Sequence, residues 1–244
     1  MSTANQHPPT NLYLARLCLE ARNSLTVISA HASFLVPDTT NRHLVAIVNA
    51  TQHLATFMST LEEYTQADQG RLSLHPRLCQ LSTTLTHLVE SIGPSMQAHS
   101  LSLHLHFNDY VPPLTIDPTR VYQILMHLLT NAIEFSAPGG HIGIATATTK
   151  THVAITVADT GKGIASHRLP TIFEPFTTLN PDWHPSGITK GLGLALARHL
   201  ARLHKGELLA HSDGPDLGST FTLTLPLDHL PLHGDTSCPH VLTA

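Results

Sequence analysis

The chain has 244 residues, of which 41% are hydrophobic, enough to bury the core of one large domain or two small ones. Only 12% of the residues are charged and the formal net charge is -4, which argues against nucleic-acid binding because that function needs a basic surface. The three cysteines are widely spaced and indicate a reducing compartment. No apolar run has membrane-spanning length and the N-terminus does not resemble a signal peptide, so we expect a cytoplasmic protein without a membrane segment.

The N-terminal part of the chain has the apolar spacing of a helical hairpin. Apolar residues recur at steps of three and four over residues 12–35 and again from about residue 41 to 61, with a proline-containing break at 37–40. Two helices with such narrow seams cannot bury both faces alone, so we expect two hairpins to pair as a four-helix bundle. Residues 1–69 are therefore predicted to be an N-terminal arm and dimerisation hairpin, and the protein a homodimer.

The patterns after residue 70 alternate between strands and helices. Residues 71–74 and 101–107 alternate as strands, and a helix is predicted over residues 81–98. Asp117 is the predicted N-cap of the next helix, with Pro118 at its first position. Residues 229–244 have no periodicity and are predicted to form a disordered tail.

The stretch from Val121 to Ile164 carries residue types that suit a nucleotide site. Asn131 lies near the end of an amphipathic segment, and two alternating apolar runs follow, the second of which ends in the residues DTGKG at 159–163. A carboxylate at a strand end, followed by glycines that allow close backbone approach, suits nucleotide recognition. The amide oxygen of Asn131 can ligate Mg²⁺ from the helix that faces the same space.

Three further segments follow in order: IFEPF at 172–176, GLGLALARHLARLHKG at 191–206 and GSTFTLTLP at 218–226. Together with the stretch above, they resemble the N, G1, F and G2 boxes and the last strand pair of the ATP-binding domain of sensor histidine kinases, in the gyrase/Hsp90-like ATPase superfamily. The resemblance implies an α+β protein in which the hairpin precedes an α/β sandwich with a mixed sheet over residues 70–228. It also implies ATP and Mg²⁺ as cofactors.

The resemblance assigns a role to each matching residue. Asn131 would hold Mg²⁺ at the phosphates, Asp159 would accept a hydrogen bond from the exocyclic amine of adenine, and Thr220 would support adenine through its hydroxyl and a water. The other predicted nucleotide-binding residues form the aromatic wall, the glycine turn and the entrance to the G2 helix: Phe135, Gly161, Gly163, Phe176, Lys190, Gly191, Leu192 and Gly193.

Three positions depart from the family pattern near the phosphates. His127 stands where asparagine is frequent, Glu134 where a basic residue is usual, and Thr189 where a glycine is usual. An acid at position 134 weakens the attraction for phosphate unless it points away. Lys190 can compensate for Thr189 with its charge at the phosphates.

The residues CLEARNSLTVI at 18–28 resemble the kinase dimerisation helix, but with one decisive change. Glu20 and Asn23 match the family pattern, whereas Leu19 occupies the position of the phospho-accepting histidine. Because leucine has no nucleophilic nitrogen, autophosphorylation at that position is chemically excluded.

The resemblance therefore implies a histidine-kinase-like protein of a two-component pathway, with a response-regulator receiver domain as partner, and leaves three hypotheses open. In the first, the ATP domain phosphorylates a histidine on a partner kinase. In the second, Glu20 and Asn23, which share a helix face, orient a water against a phosphorylated receiver domain. In the third, the protein is a non-enzymatic scaffold gated by nucleotide.

Overall fold

The computed structural model describes residues 20–31 (apart from 22, 25 and 29), 41–107, 111–177 and 191–227. The described residues between 20 and 31 are helical and form α1. The other four helices are α2 (Asn41–Asp68), α3 (Leu81–Ala98), α4 (Pro118–Phe135) and α5 (Gly193–Leu203). None of the helices in these ranges is both long and apolar enough to cross a membrane.

A five-stranded mixed sheet forms one layer of the ATPase-like part of the chain. Its strands lie in the order β2 (Ser102–His106), β4 (His141–Thr148), β5 (His152–Asp159), β7 (Ser219–Pro226) and β6 (Glu207–His211). The β2–β4 pair is parallel and the other three pairs are antiparallel. A separate two-stranded antiparallel sheet pairs β1 (Arg77–Cys79) with β3 (Leu114–Ile116).

The helices α3, α4 and α5 cover one face of this sheet. Every second residue of the central strands points to them, which is the period of two expected of a sheet that is buried on one side. The fully buried side chains on that face are Ile142, Ile144, Val153, Ile155, Val157, Leu223 and Leu225. The structure confirms the predicted α+β class and the mixed sheet, and it places the core between the sheet and the three helices.

A buried polar junction fixes the start of α4. Asp117 caps the helix as predicted, accepting a hydrogen bond from the Arg120 N–H at Oδ1, 3.1 Å away. Its other oxygen accepts from the His75 N–H at 2.9 Å, and its own N–H donates to Nε2 of His204 at 3.1 Å. Since Nδ1 of His204 lies 2.8 Å from the Leu200 carbonyl, the ring is neutral and protonated on Nδ1. This junction ties α4 to the preceding loop and to the end of α5.

The chain divides into two compact units, one up to Ser59 and one from Thr60 onward. The second unit begins ten residues before the predicted boundary at residue 70, because the last turns of α2 pack within it. Tyr64 and Ala67 are buried there, and Tyr64 meets the His199 ring of α5 edge-on at 5.4 Å.

The prediction of a strand over residues 71–74 was wrong. These residues are irregular, and the strand of this region is β1, which begins three residues after Leu74. Alternation in a four-residue segment is a weak signal, and strand formation here is decided by pairing with β3, whose register begins at Arg77 opposite Ile116. The predicted tail at 229–244 lies outside the described residues.

Candidate functional site

The helix α4 presents Asn131 on a face that the apolar core does not fill. Other sides of the helix are packed by buried side chains, among them Leu125, Leu128 and Leu129. Asn131 and Phe135 are half-buried, four residues apart, and therefore share one side of the helix. Both lie in the last turns of α4, which ends at Phe135.

Asp159 ends β5 with its carboxylate held by three donors. Oδ1 accepts from the N–H groups of Gly161 at 2.8 Å and Ser219 at 3.3 Å. Oδ2 accepts from the Ser219 hydroxyl at 2.5 Å. A carboxylate has about four acceptor positions, so these bonds fix its orientation and leave capacity for a ligand donor.

The glycines of the turn after β5 are required by close backbone approach. A Cβ on Gly161 would lie 2.5 Å from the Phe135 carbonyl, and one on Gly163, whose φ is 61°, would lie 2.0 Å from the Gly214 carbonyl. The Lys162 N–H also donates to the Phe135 carbonyl at 3.1 Å. The turn is therefore hydrogen-bonded to the last residue of α4, which places Gly161 directly beside Phe135.

The F and G2 segments meet at Phe176 and Gly191. The Phe176 N–H donates to the Gly191 carbonyl at 2.8 Å, and Gly191 has a φ of 79° that favours glycine. Leu192 and Gly193 are buried at the start of α5, and the N-cap residue Leu192 provides no side-chain hydrogen bond to the first turn. Those N–H groups are thus not satisfied by a cap, as a phosphate-binding helix start requires. Lys190 and Thr189 lie outside the described residues.

The predicted adenine-supporting residue, Thr220, lies one position away from the residue that contacts Asp159. In the β5–β7 register Ser219 is opposite Asp159 and Thr220 is opposite Ala158. Successive strand residues point to opposite faces, so the Ser219 side chain lies on the helix-covered face and that of Thr220 on the other. Sequence reasoning missed Ser219, although the alternation of the buried residues Phe221, Leu223 and Leu225 in the same strand carries the signal.

A second group missed in the sequence surrounds Phe173 of the F segment. The Arg198 guanidinium lies 4.8 Å from the centre of the Phe173 ring, and Phe221 meets that ring edge-on at 6.4 Å. The Arg198 Nε donates to Glu207 at 3.0 Å. Burial raises the pKa of Glu207, but the hydrogen bond from Arg198 and the charges of Arg202 and Arg198 outweigh it, so the net shift is downward. This group anchors the F segment against α5 and β7.

The two departures in α4 lie close to the predicted phosphate positions. His127 is one turn before Asn131, and burial lowers its pKa to about 4, although the charge of Glu63 partly opposes the shift. Its Nε2 is shielded from solvent without a hydrogen-bond partner among the described residues. Glu134, three residues after Asn131, is half-buried. His127 is therefore neutral at physiological pH and adds no cation at this site.

The residues present fit Mg²⁺ as it is used with nucleotides. In that setting Mg²⁺ takes one or two protein oxygens and completes its shell with phosphates and waters, so the amide oxygen of Asn131 is a suitable ligand. Within the described ranges no cluster of three or more His, Cys, Asp or Glu side chains forms a separate metal site.

Glu20 and Asn23 lie on α1, in the first compact unit. Both are helical, and they are three residues apart, so they share a face. Glu20 is half-buried and Asn23 exposed. Leu19 lies outside the described residues.

Residues 116–229 match the family of histidine kinase-, DNA gyrase B- and HSP90-like ATPases. The circadian input-output histidine kinase CikA of Thermosynechococcus vestitus is 30% identical over 237 residues, which are 93% of this chain and 32% of CikA. The sensor histidine kinase ZraS of Escherichia coli K12 is 33% identical over 149 residues, or 61% of this chain and 30% of ZraS. The chain is a member of the sensor histidine kinase family. It spans about a quarter to a third of the length of the curated relatives it matches.

Solved histidine kinases share the fold of this family member. AdeS of Acinetobacter baumannii has a TM-score of 0.71 and 20% identity, covering 86% of this chain and 98% of AdeS. ThkA in complex with the response regulator TrrA has a TM-score of 0.70 and 22% identity, with coverages of 88% and 61%. Full-length ShkA in complex with AMPPNP has a TM-score of 0.68 and 18% identity, with coverages of 88% and 46%. At these identities the likeness establishes the fold alone.

Proposed function

We propose that this kinase-family chain binds ATP with Mg²⁺ between the end of α4, the turn after β5 and the start of α5. The observation that carries the proposal is the Asp159 carboxylate, held by Ser219 and Gly161 with acceptor capacity left for an exocyclic amine. An amine donor distinguishes adenine from guanine, which presents a carbonyl at that position. The AMPPNP complex of the related fold of ShkA supports the choice of an adenine nucleotide.

Each part of the site has a distinct task in this proposal. Asp159 selects the base, and Ser219 takes over the adenine-supporting role first assigned to Thr220. Phe135 packs beside the base, and the glycines of the G1 segment let the turn after β5 pass close to the base. Asn131 would hold Mg²⁺ with its amide oxygen, and the ion would supply positive charge at the phosphates. The N–H groups at the start of α5 stabilise the phosphates.

The proposed reaction is phosphoryl transfer from ATP to a histidine of another protein in a two-component pathway. Leu19 removes the acceptor from the family position, so the acceptor must come from a partner kinase. The complex of ThkA with a response regulator supports a receiver domain as a further partner. We also propose that the hairpin forms a homodimer and that the protein works in the cytoplasm.

Incubation with γ-labelled ATP and Mg²⁺ tests this proposal, using the natural chain, Leu19→His and the double variant Leu19→His/Asn131→Ala. We expect label on Leu19→His and none on the other two, because only the first has both an acceptor and an intact phosphate site. Nucleotide binding without label on Leu19→His would contradict kinase chemistry and favour the nucleotide-gated scaffold.

A second candidate function is dephosphorylation of a response regulator by α1. The exposed amide of Asn23 and the nearby carboxylate of Glu20 share a helix face from which a water can be oriented for attack. Asn23→Ala should then slow the loss of phosphate from a phosphorylated receiver domain, whereas Asn131→Ala should not. An unchanged rate in Asn23→Ala would exclude this function.

A further inference from the structure

The end of helix α2 is bound to the first turns of α4 through one carboxylate, that of Glu63. Arg120 Nη1 donates to Glu63 Oε1 at 2.7 Å, and Gln123 Nε2 donates to Glu63 Oε2 at 2.5 Å. Arg120 also donates to Gln123 Oε1 at 2.8 Å, which closes a ring of three side chains. The Arg120 and Glu63 side chains are only 22% and 28% exposed, so solvent screens this pair less than a surface ion pair.

These contacts fix the rotation of α4 about its own axis. Two donors one turn apart on α4 bind both oxygens of a single carboxylate, so a rotation of the helix strains these hydrogen bonds. Neighbouring residues on a helix are about 100° apart, which places Asn131 within about 20° of Arg120 on the same side of α4. The two residues are separated by roughly 16 Å along the axis. A rigid helix turns as a body, and any rotation at Arg120 reaches Asn131.

The influence of Glu63 along this face is visible at an intermediate point. His127 lies between Gln123 and Asn131 on α4, and the Glu63 charge raises the pKa that burial lowers. Arg120, His127 and Asn131 fall within about 40° of one another around the helix axis, so the side of α4 that carries the proposed magnesium ligand is the side that Arg120 turns towards Glu63.

A second set of contacts joins the end of α2 to α5. His199 of α5 packs edge-on against Tyr64, and its Nε2 lies 4.0 Å from Asp68 Oδ1. Because the end of α2 also packs against α5, the backbone at Glu63 is held in place independently of the Glu63 side chain.

We propose that Glu63 is a positioning residue of the nucleotide site. By accepting hydrogen bonds from Arg120 and Gln123, Glu63 sets the direction in which Asn131 points. The inference rests on the proposed function and concerns the magnesium-dependent part of binding, because Asn131 acts on the nucleotide through the metal. A purely structural Glu63 would affect folding stability and nucleotide affinity in general. A positioning Glu63 changes the ratio between nucleotide dissociation constants without and with Mg²⁺, called the magnesium gain below.

The experiment measures the magnesium gain for ATP in the full chain, together with the melting temperature of each variant. Glu63→Gln removes the charge at nearly constant volume. Glu62→Gln is the matched control, because it makes the same chemical change one residue away, and within the part of the chain that the structure describes Glu62 is hydrogen-bonded by Gln66 Nε2 of the same helix, at 3.3 Å. We expect Glu63→Gln to reduce the magnesium gain at least about fivefold, since small displacements of a positioned group have large effects. Glu62→Gln should leave it unchanged.

The charge-exchanged double variant Glu63→Arg/Arg120→Glu is the rescue. Gln123 has both an amide donor and a carbonyl acceptor, so it can serve the reversed pair. Recovery of the magnesium gain in the double variant supports a positioning role of Glu63, even where Glu63→Gln itself folds poorly. Absence of recovery overturns the proposal. An equal loss of affinity with and without Mg²⁺ in Glu63→Gln also overturns the proposal. A natural chain that binds no nucleotide would refute the proposed function itself, which is a distinguishable result.

Discussion

Replacement of Ser219 or Thr220 by alanine separates the site seen in the structure from the site expected from the sequence. Ser219 donates its hydroxyl to Asp159 Oδ2 at 2.5 Å, and a hydrogen bond to a charged group contributes about 1.5–3 kcal/mol. Part of that energy already holds the Asp159 carboxylate in place in the nucleotide-free protein. We therefore expect Ser219→Ala to weaken ATP binding by about 1–2 kcal/mol, or roughly 5- to 30-fold. Thr220 points away from Asp159, and Thr220→Ala should change the dissociation constant less than about twofold.

The assay is displacement of a fluorescent adenine nucleotide by unlabelled ATP, with GTP as a second competitor. Loss of the Ser219 hydroxyl leaves the Asp159 carboxylate less well oriented, so discrimination between ATP and GTP should fall together with ATP affinity. A larger effect of Thr220→Ala than of Ser219→Ala would refute the assignment from the strand register. Equal, small effects would show that Ser219 does not orient Asp159 for binding.

Three further predictions follow from local geometry. Gly163→Ala and Gly139→Ala both place alanine at positive φ, but a Cβ at 163 meets a carbonyl at 2.0 Å and one at 139 meets nothing within 4 Å. We expect the free energy of unfolding, measured in urea, to fall by about 3–5 kcal/mol for Gly163→Ala and by about 1–2 kcal/mol for Gly139→Ala. Burial lowers the pKa of His204 below the usual 6.5, so the unfolded state binds the extra proton first and folding stability falls as pH drops below about 6.5. His204→Gln should be less stable at pH 7.5 and lose less stability between pH 7 and 5, measured as urea midpoints; an unchanged pH slope would contradict this. Arg198→Ala should lower the free energy of unfolding by about 1–3 kcal/mol and Arg202→Ala by less than about 0.5 kcal/mol, because of the two only Arg198 combines a hydrogen bond with a ring contact. Equal changes in melting temperature for the two variants would contradict this prediction.

Long and strongly patterned elements were predictable because local chemistry decides them. The limits of α3 agree with the prediction, and α4 begins at Pro118 after an Asp117 cap because an N-cap acid and a first-turn proline act within a few residues. The glycine turn was also predictable, since only glycine tolerates a backbone carbonyl as close as the one that faces Gly163.

Features that depend on pairing over long distances were not predictable from one sequence. The order of the boxes locates β7, but only its register with β5 shows that Ser219, rather than Thr220, meets Asp159. The periodicity of α2 gives its apolar seam and says nothing of a bond between Glu63 and Arg120, which are 57 positions apart. Such contacts are chosen by the packing of whole elements, which no local pattern encodes.

Titration calorimetry of the natural chain and of Asp159→Asn with ATP and Mg²⁺ tests the central claim most directly. Asparagine keeps the size of the side chain but offers one acceptor oxygen in place of two and loses the charge. We predict one ATP per natural chain and at least about tenfold weaker binding to Asp159→Asn at an unchanged fold, judged by circular dichroism. Equal affinity of the two proteins for ATP, or no heat of binding with either, would contradict nucleotide recognition by Asp159.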